Sequence, residues 1–79
     1  MNDYLKEVIQ RVKELLPEDV AVEGDAPLCS GLGLSSMQLA QLAFELEEVF
    51  DIEIPDAAFK SDMTAMDFAE IIQSEMEKE

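Results

Sequence analysis

The sequence predicts an all-α fold: a four-helix bundle with three longer helices, one short third helix and a long loop between helices 1 and 2. Three observations carry the prediction. Apolar residues recur at helical spacing in three stretches, about 3–16, 36–50 and 65–77. Two of these open on a capping-box spacing, Ser35 with Gln38 and Thr64 with Asp67. The one alternating run, Asp51-Ile52-Glu53-Ile54, has no second strand to pair with.

In the first helix, 3–16, the stripe Tyr4, Leu5, Val8, Ile9, Val12, Leu15 and Leu16 faces the core, Asn2 or Asp3 suits the cap, and Pro17 ends the helix. Residues 17–34 make the long loop, interrupted by Gly24, Pro27, Gly31 and Gly33. Loops of this length in small domains are usually functional or disordered. Here Val20, Val22, Leu28, Leu32 and Leu34 are spaced to pin it across the helices, so an ordered crossover is expected. The second helix, 36–50, turns Leu39, Leu42, Ala43, Leu46, Val49 and Phe50 to the core at ~100° per residue. An extended connector follows, with Ile52 and Ile54 turned inward. Pro55-Asp56 starts a short third helix over 57–61, with Asp56 as cap and Phe59 as anchor. The fourth helix, 65–77, carries the stripe Met66, Ala69, Ile72 and Met76, widened by Phe68 and Ile71, its methionines serving as adaptable filler. One domain is expected over 1–79.

Nineteen acids against five bases give a net charge of −14. All but Asp3 and Glu7 of those acids lie from Glu14 onward, where only Lys60 and Lys78 oppose them. Nucleic acid and anionic membrane surfaces would repel such a chain, whereas basic protein surfaces suit it. No stretch is apolar enough to span a membrane, and Met1-Asn2-Asp3 is read as opening no signal peptide. The single Cys29 excludes an internal disulfide and a thiolate zinc site, so a reducing, cytoplasmic setting is expected, with Cys29 as a half-buried loop residue. With no His, no metal-ligand spacing, no D-x-[DN]-x-[DN]-G loop and no phosphate-cradling glycine motif, the chain is read as a non-enzyme without metal.

The informative stretch is Leu32-Gly33-Leu34-Ser35-Ser36-Met37-Gln38-Leu39. Ser35 falls at the N-cap of the second helix and Ser36 at its first position. The Ser36 hydroxyl then stands at the positive end of the helix beside free backbone donors, a place that tolerates a phosphate-linked group. By itself the same pattern describes a plain helix start. On the helical wheel Met37, Ala40 and Phe44 form a second apolar face, bordered by Gln41, Glu47 and Glu48, and this is a plausible docking surface. The competing arrangement tucks Phe44 under the long loop.

The run from Leu32 through Leu39, continued by Glu45-Leu-Glu-Glu-Val-Phe-Asp-Ile-Glu-Ile-Pro-Asp56, resembles the acyl carrier proteins, whose pattern is L-G-x-D-S-L followed by an acidic helix ending in E-E-x-F-x-x-x-I-P. The resemblance covers about residues 5–76. It implies a 4′-phosphopantetheine arm joined to Ser36 by a phosphodiester, with an acyl or related group held as a thioester on the terminal thiol. It implies a phosphopantetheinyl transferase and acyl- or aminoacyl-loading and acyl-processing enzymes with basic docking patches as partners of a monomeric, free-standing carrier. Four positions depart from the pattern. Ser35 replaces the usual Asp, Gln38 and Gln41 stand where fatty-acid carriers often have acids, and Met37 replaces Leu. These favour a dedicated lipid, polyketide or aminoacyl pathway over housekeeping fatty-acid synthesis. The alternative is a carrier-like acidic interaction domain that never receives the arm.

Overall fold

Three α-helices frame the computed structural model, which describes residues 3–16 and 21–77: α1 (Asp3–Leu15), α2 (Ser36–Phe50) and α3 (Ala65–Met76), with a 3-10 turn at Asp56–Ala58 between α2 and α3. No strand occurs among the described residues, only an isolated antiparallel bridge between Pro27 and Thr64. The expectations for Asn2, Pro17 and Val20, and for the Asp56 side chain, fall outside the described residues.

The helices form where apolar residues recur one turn apart and can be buried together. Val8 and Val12 of α1, Leu39, Leu42 and Leu46 of α2, and Ala65, Phe68 and Ile72 of α3 are all buried in one cluster. α1 packs chiefly against α3. Tyr4 and Phe50 close one flank edge-to-face with ring centroids 5.6 Å apart, and Phe59 meets Phe68 in the same way at 6.5 Å. Ile52 and Ile54 pack against the cluster as expected.

Three sequence expectations are corrected. The short third helix expected over 57–61 is a single 3-10 turn, closed by the Ala58 N–H on the Pro55 carbonyl at 2.9 Å. Three residues offer too few bonds to offset helix nucleation, and the chain leaves the turn at once to seat Phe59 against Phe68. Val49, assigned to the core stripe, is 42% exposed. It lies roughly 80° from the stripe's centre on the wheel, beyond the packed edge. On α3 the buried stripe is Ala65, Phe68, Ala69 and Ile72, while Met66 and Met76 are exposed. Phe68 points into the core, which leaves Met66 roughly 110° from the centre of the buried stripe. Met76 sits in the last turn, beside Phe50 and Ile52 at the outer end of the bundle.

Both capping boxes form. Ser35 Oγ accepts from the Gln38 N–H at 3.1 Å while Gln38 Oε1 accepts from the Ser35 N–H at 2.9 Å. Thr64 Oγ1 accepts from the Asp67 N–H at 3.0 Å, and Asp67 Oδ2 accepts from the Thr64 N–H at 3.0 Å. Helix α2 ends on Asp51 in the left-handed conformation, φ 54° and ψ 52°, and the Ile52 N–H closes back on the Glu47 carbonyl at 3.1 Å.

The crossover is ordered over its described part, 21–34. Val22, Leu28 and Leu34 are buried, and Leu32 packs against the core. Its backbone is stitched to the entry of α3: the Leu28 N–H donates to the Met63 carbonyl at 2.8 Å, and the Met66 N–H to the Gly24 carbonyl at 2.9 Å. The Asp62 carboxylate accepts from the Cys29 N–H at 2.9 Å and the Ser30 N–H at 3.1 Å. A Cβ at Gly31 would sit 2.6 Å from the Pro27 carbonyl oxygen, and Gly33 has φ +85°, so both positions require glycine. Half-buried Cys29 has its thiol pKa pushed up by burial and then by the nearby Asp62 charge, which makes it a poor nucleophile.

Three tests follow from this packing. The αL residue Asp51 places a negative charge at the negative end of α2. Asp51→Gly is therefore expected to stabilise the fold by about 0.5–1 kcal/mol; an unchanged or lower denaturation midpoint contradicts this. With so few bases, of which Arg11 bonds Glu7 at 2.9 Å and reaches Glu45 at 3.9 Å, acid–acid repulsion should dominate the surface. Melting temperature is expected to rise from low to moderate salt; a flat or falling response would mean that the repulsion is small. Finally, hydrogen bonds from the Cys29 N–H, the Ser30 hydroxyl and neighbouring N–H groups hold the Asp62 pKa below its ordinary value. Its stabilising contribution is full above the unfolded aspartate value of about 3.9 and is lost as pH falls through the lower folded value. Asp62→Asn should flatten the acid side of the stability profile, read by denaturant titration at several pH values.

Candidate functional site at the start of helix α2

The start of α2 is built from the crossover outward. Leu34 is buried and anchors the last loop residue, so the chain turns outward at Ser35 and leaves both serines exposed. Ser35 has extended backbone angles, φ −79° and ψ 165°, and serves as N-cap, so Ser36 is the first helical residue. Gln38 also donates from Nε2 to the Leu15 carbonyl at 3.4 Å, which ties this corner to the end of α1.

Backbone donors at this corner divide into used and unused. The Gln38 N–H is taken by Ser35 Oγ and the Leu39 N–H by the Ser35 carbonyl at 2.9 Å. The N–H groups of Ser36 and Met37 come first in the helix and have no carbonyl one turn back within it. No described residue takes either of them, and both lie beside the Ser36 hydroxyl at the positive end of the α2 dipole. No acid occupies the first turn of α2.

Charge around the site is distributed unlike that of the rest of the chain. From Ala26 through Phe44 no residue is charged, and Ser36 stands near the middle of that run. The acids resume at Glu45, Glu47 and Glu48, in the second half of α2. The two glutamines at 38 and 41 are part of this neutral run, and the full extent of it is the signal that inspection of the second helix alone misses.

Met37 is 83% exposed and Phe44 65% exposed, with Ala40 half-buried between them. This excludes the arrangement in which Phe44 tucks under the long loop. Glu48 is exposed, but Glu47 is half-buried and its Oε2 accepts from the Ile54 N–H at 2.7 Å. Glu47 is therefore committed to holding the connector, a role that sequence spacing did not reveal. Below the exposed face, a cleft of about 230 Å³ opens between α2 and the chain around the 3-10 turn, lined by Ala40, Ala43, Phe44, Glu47, Ile54 and Phe59. The two alanines leave the space, and Ile54 and Phe59 supply a wall that comes from a distant part of the sequence.

A covalent phosphodiester at Ser36 fits these features. Ser36 is exposed, two backbone donors have no partner among the described residues, and no carboxylate competes in the first turn. Among the described residues no group of His, Cys, Asp and Glu is arranged to hold a metal, and no helix is long and apolar enough to cross a membrane.

Comparison with known proteins agrees with the resemblance read from the sequence. The family model described as "Phosphopantetheine attachment site" matches residues 3–72. An acyl carrier protein of Prochlorococcus marinus (strain MIT 9515) is 34% identical over 74 residues, covering 87% of this chain and 92% of that protein. No solved structure gives a significant match. Proteins of this family are carriers rather than enzymes, bear a covalently attached 4′-phosphopantetheine, and interact with phosphopantetheinyl transferases and acyl-handling enzymes. With a family match across most of its length and a relative aligned nearly end to end, this chain belongs to the acyl carrier proteins.

Proposed function

We propose that Ser36 is the attachment residue of the prosthetic arm, and that the protein presents an acyl or aminoacyl group to successive enzymes of a specialised lipid, polyketide or aminoacyl pathway. The observation that carries the assignment is the exposed Ser36 at the first position of a capped helix, with the Ser36 and Met37 N–H groups unpartnered among the described residues beside it. When bound, 4′-phosphopantetheine supplies a terminal thiol that holds the cargo as a thioester. The chain's own part is positional. Ser35 and Gln38 hold the helix start, and the open N–H groups and helix dipole favour the phosphodiester charge.

Partner enzymes, in this reading, meet the Met37–Ala40–Phe44 face, with Glu47 and Glu48 as its acidic border. The exposure of Met37 and Phe44 supports an apolar contact close to Ser36, and the acids farther along α2 support a basic contact at the opposite edge. The cleft beside Ala40, one turn after Ser36, is mostly apolar and favours an uncharged cargo. The 3-10 turn stands in the place of the short third helix of a four-helix bundle, and 1–79 acts as one monomeric carrier domain in the cytoplasm. The second reading, an acidic interaction domain that stays unmodified, uses the same exposed face without the arm.

Incubation with coenzyme A and a broad-specificity phosphopantetheinyl transferase is expected to give the mass gain of one phosphopantetheine. Ser36→Ala should abolish it, whereas Ser35→Ala should only slow it through loss of the cap. Absence of any gain in the wild-type protein favours the unmodified interaction domain, and labelling that persists in Ser36→Ala removes the site assignment.

Phe44→Ala is expected to weaken partner binding by roughly 1–2 kcal/mol with little change in melting temperature, because the ring is mostly exposed. Glu48→Lys should slow association, most visibly at low salt. Glu48 gives the cleaner charge test, since Glu47→Lys would also release the Ile54 N–H. A melting temperature that collapses in Phe44→Ala, with partner affinity of the folded protein unchanged, would falsify the docking face.

A further inference from the structure

We propose that Asp62 is a positioning residue for Ser36: its carboxylate holds the turn that aims the start of α2, and so sets where the Ser36 hydroxyl meets the transferase. The inference rests on the reading of Ser36 as the attachment residue.

From Leu28 to Leu34 every backbone N–H is engaged, and five of the bonds end on backbone carbonyls. Leu28 donates to Met63 at 2.8 Å, Gly31 and Leu32 to Pro27 at 2.9 and 3.1 Å, Gly33 to Cys29 at 3.0 Å, and Leu34 to Leu28 at 3.0 Å. The remaining two, Cys29 and Ser30, open the turn, where a helical turn leaves its first donors without partners. Asp62 takes both, one with each carboxylate oxygen, at 2.9 and 3.1 Å. A side chain 33 positions away in sequence from Cys29 thus caps this turn as Ser35 caps α2.

The turn is closed on itself by its own backbone bonds, so it shifts as a unit. Its outer end runs through Gly33 and the buried Leu34 directly into Ser35 and Ser36. Asp62 also lies two residues before Thr64, the cap of α3, so one carboxylate relates the starts of both helices. The neutral run around Ser36 makes this geometry matter more. No side chain from Ala26 to Phe44 is charged, so the residues flanking Ser36 place its hydroxyl through the backbone. Small displacements of a reacting group cost rate more than binding. Asp62 does not line the cleft beside the exposed face of α2, so loosening it leaves the encounter surface in place.

Steady-state transfer from coenzyme A by a phosphopantetheinyl transferase, with the carrier as varied substrate, tests this. Asp62→Ala is expected to lower kcat roughly ten- to a hundredfold, with KM within about twofold of wild type. Asp62→Asn keeps one acceptor oxygen and is expected to recover part of the rate. Amide exchange should accelerate at Cys29 and Ser30 in Asp62→Ala but not at Val8 and Val12, which separates local release from general loosening. No transfer to the wild-type protein removes the attachment reading, and this inference with it. Wild-type transfer with an unchanged kcat in folded Asp62→Ala, or a loss confined to KM, overturns the positioning role alone. If neither variant folds, Asp62 is purely structural and the positioning role is overturned as well.

Discussion

The backbone seam between the crossover and the entry to α3 is the constraint on which the rest depends. Leu28 and Met63 are both buried, and the bond between the Leu28 N–H and the Met63 carbonyl, at 2.8 Å, lies between the Asp62 clamp and the Pro27–Thr64 bridge. Without this seam the crossover would be a run of small residues and glycines with no regular structure and a high entropic cost of ordering. With it, the loop's polar backbone is satisfied and its leucines reach the core. The start of α2 inherits its position from that arrangement.

Helix α2 serves two environments at once. One face supplies Leu39, Leu42, Ala43 and Leu46 to the core. The opposite face leaves Met37 and Phe44 in solvent, an exposure that folding alone does not favour and that the proposed docking role uses. Glu47 shows how these demands meet, since its carboxylate both adds to the acidic border and bonds the Ile54 N–H.

The charge pattern divides the surface by role. In the proposed docking, strong net acidity would steer basic partners from a distance, with an effect that weakens with salt. Ser36 lies inside the uncharged run 26–44, whose own side chains offer a partner shape and apolar contact. An enzyme that combines a basic edge with an uncharged centre matches both regions.

Local features were legible in the sequence because the interactions that create them are local. Both capping boxes involve residues three apart, the three helices follow spacings within single stretches, and the Ser36 neighbourhood is one continuous run. The family resemblance was carried by the same short-range patterns. The tertiary structure decided what depends on distant partners. Phe59 met Phe68, and a three-residue turn replaced the expected helix; Phe68 took the core centre, and Met66 stayed at the surface. Val49 fell outside the packed edge, although its spacing fits the stripe, because periodicity gives a direction and not the reach of the neighbouring helix. The Asp62 bonds to Cys29 and Ser30 span more than thirty positions and follow no spacing rule, so only folding could bring that carboxylate to the turn.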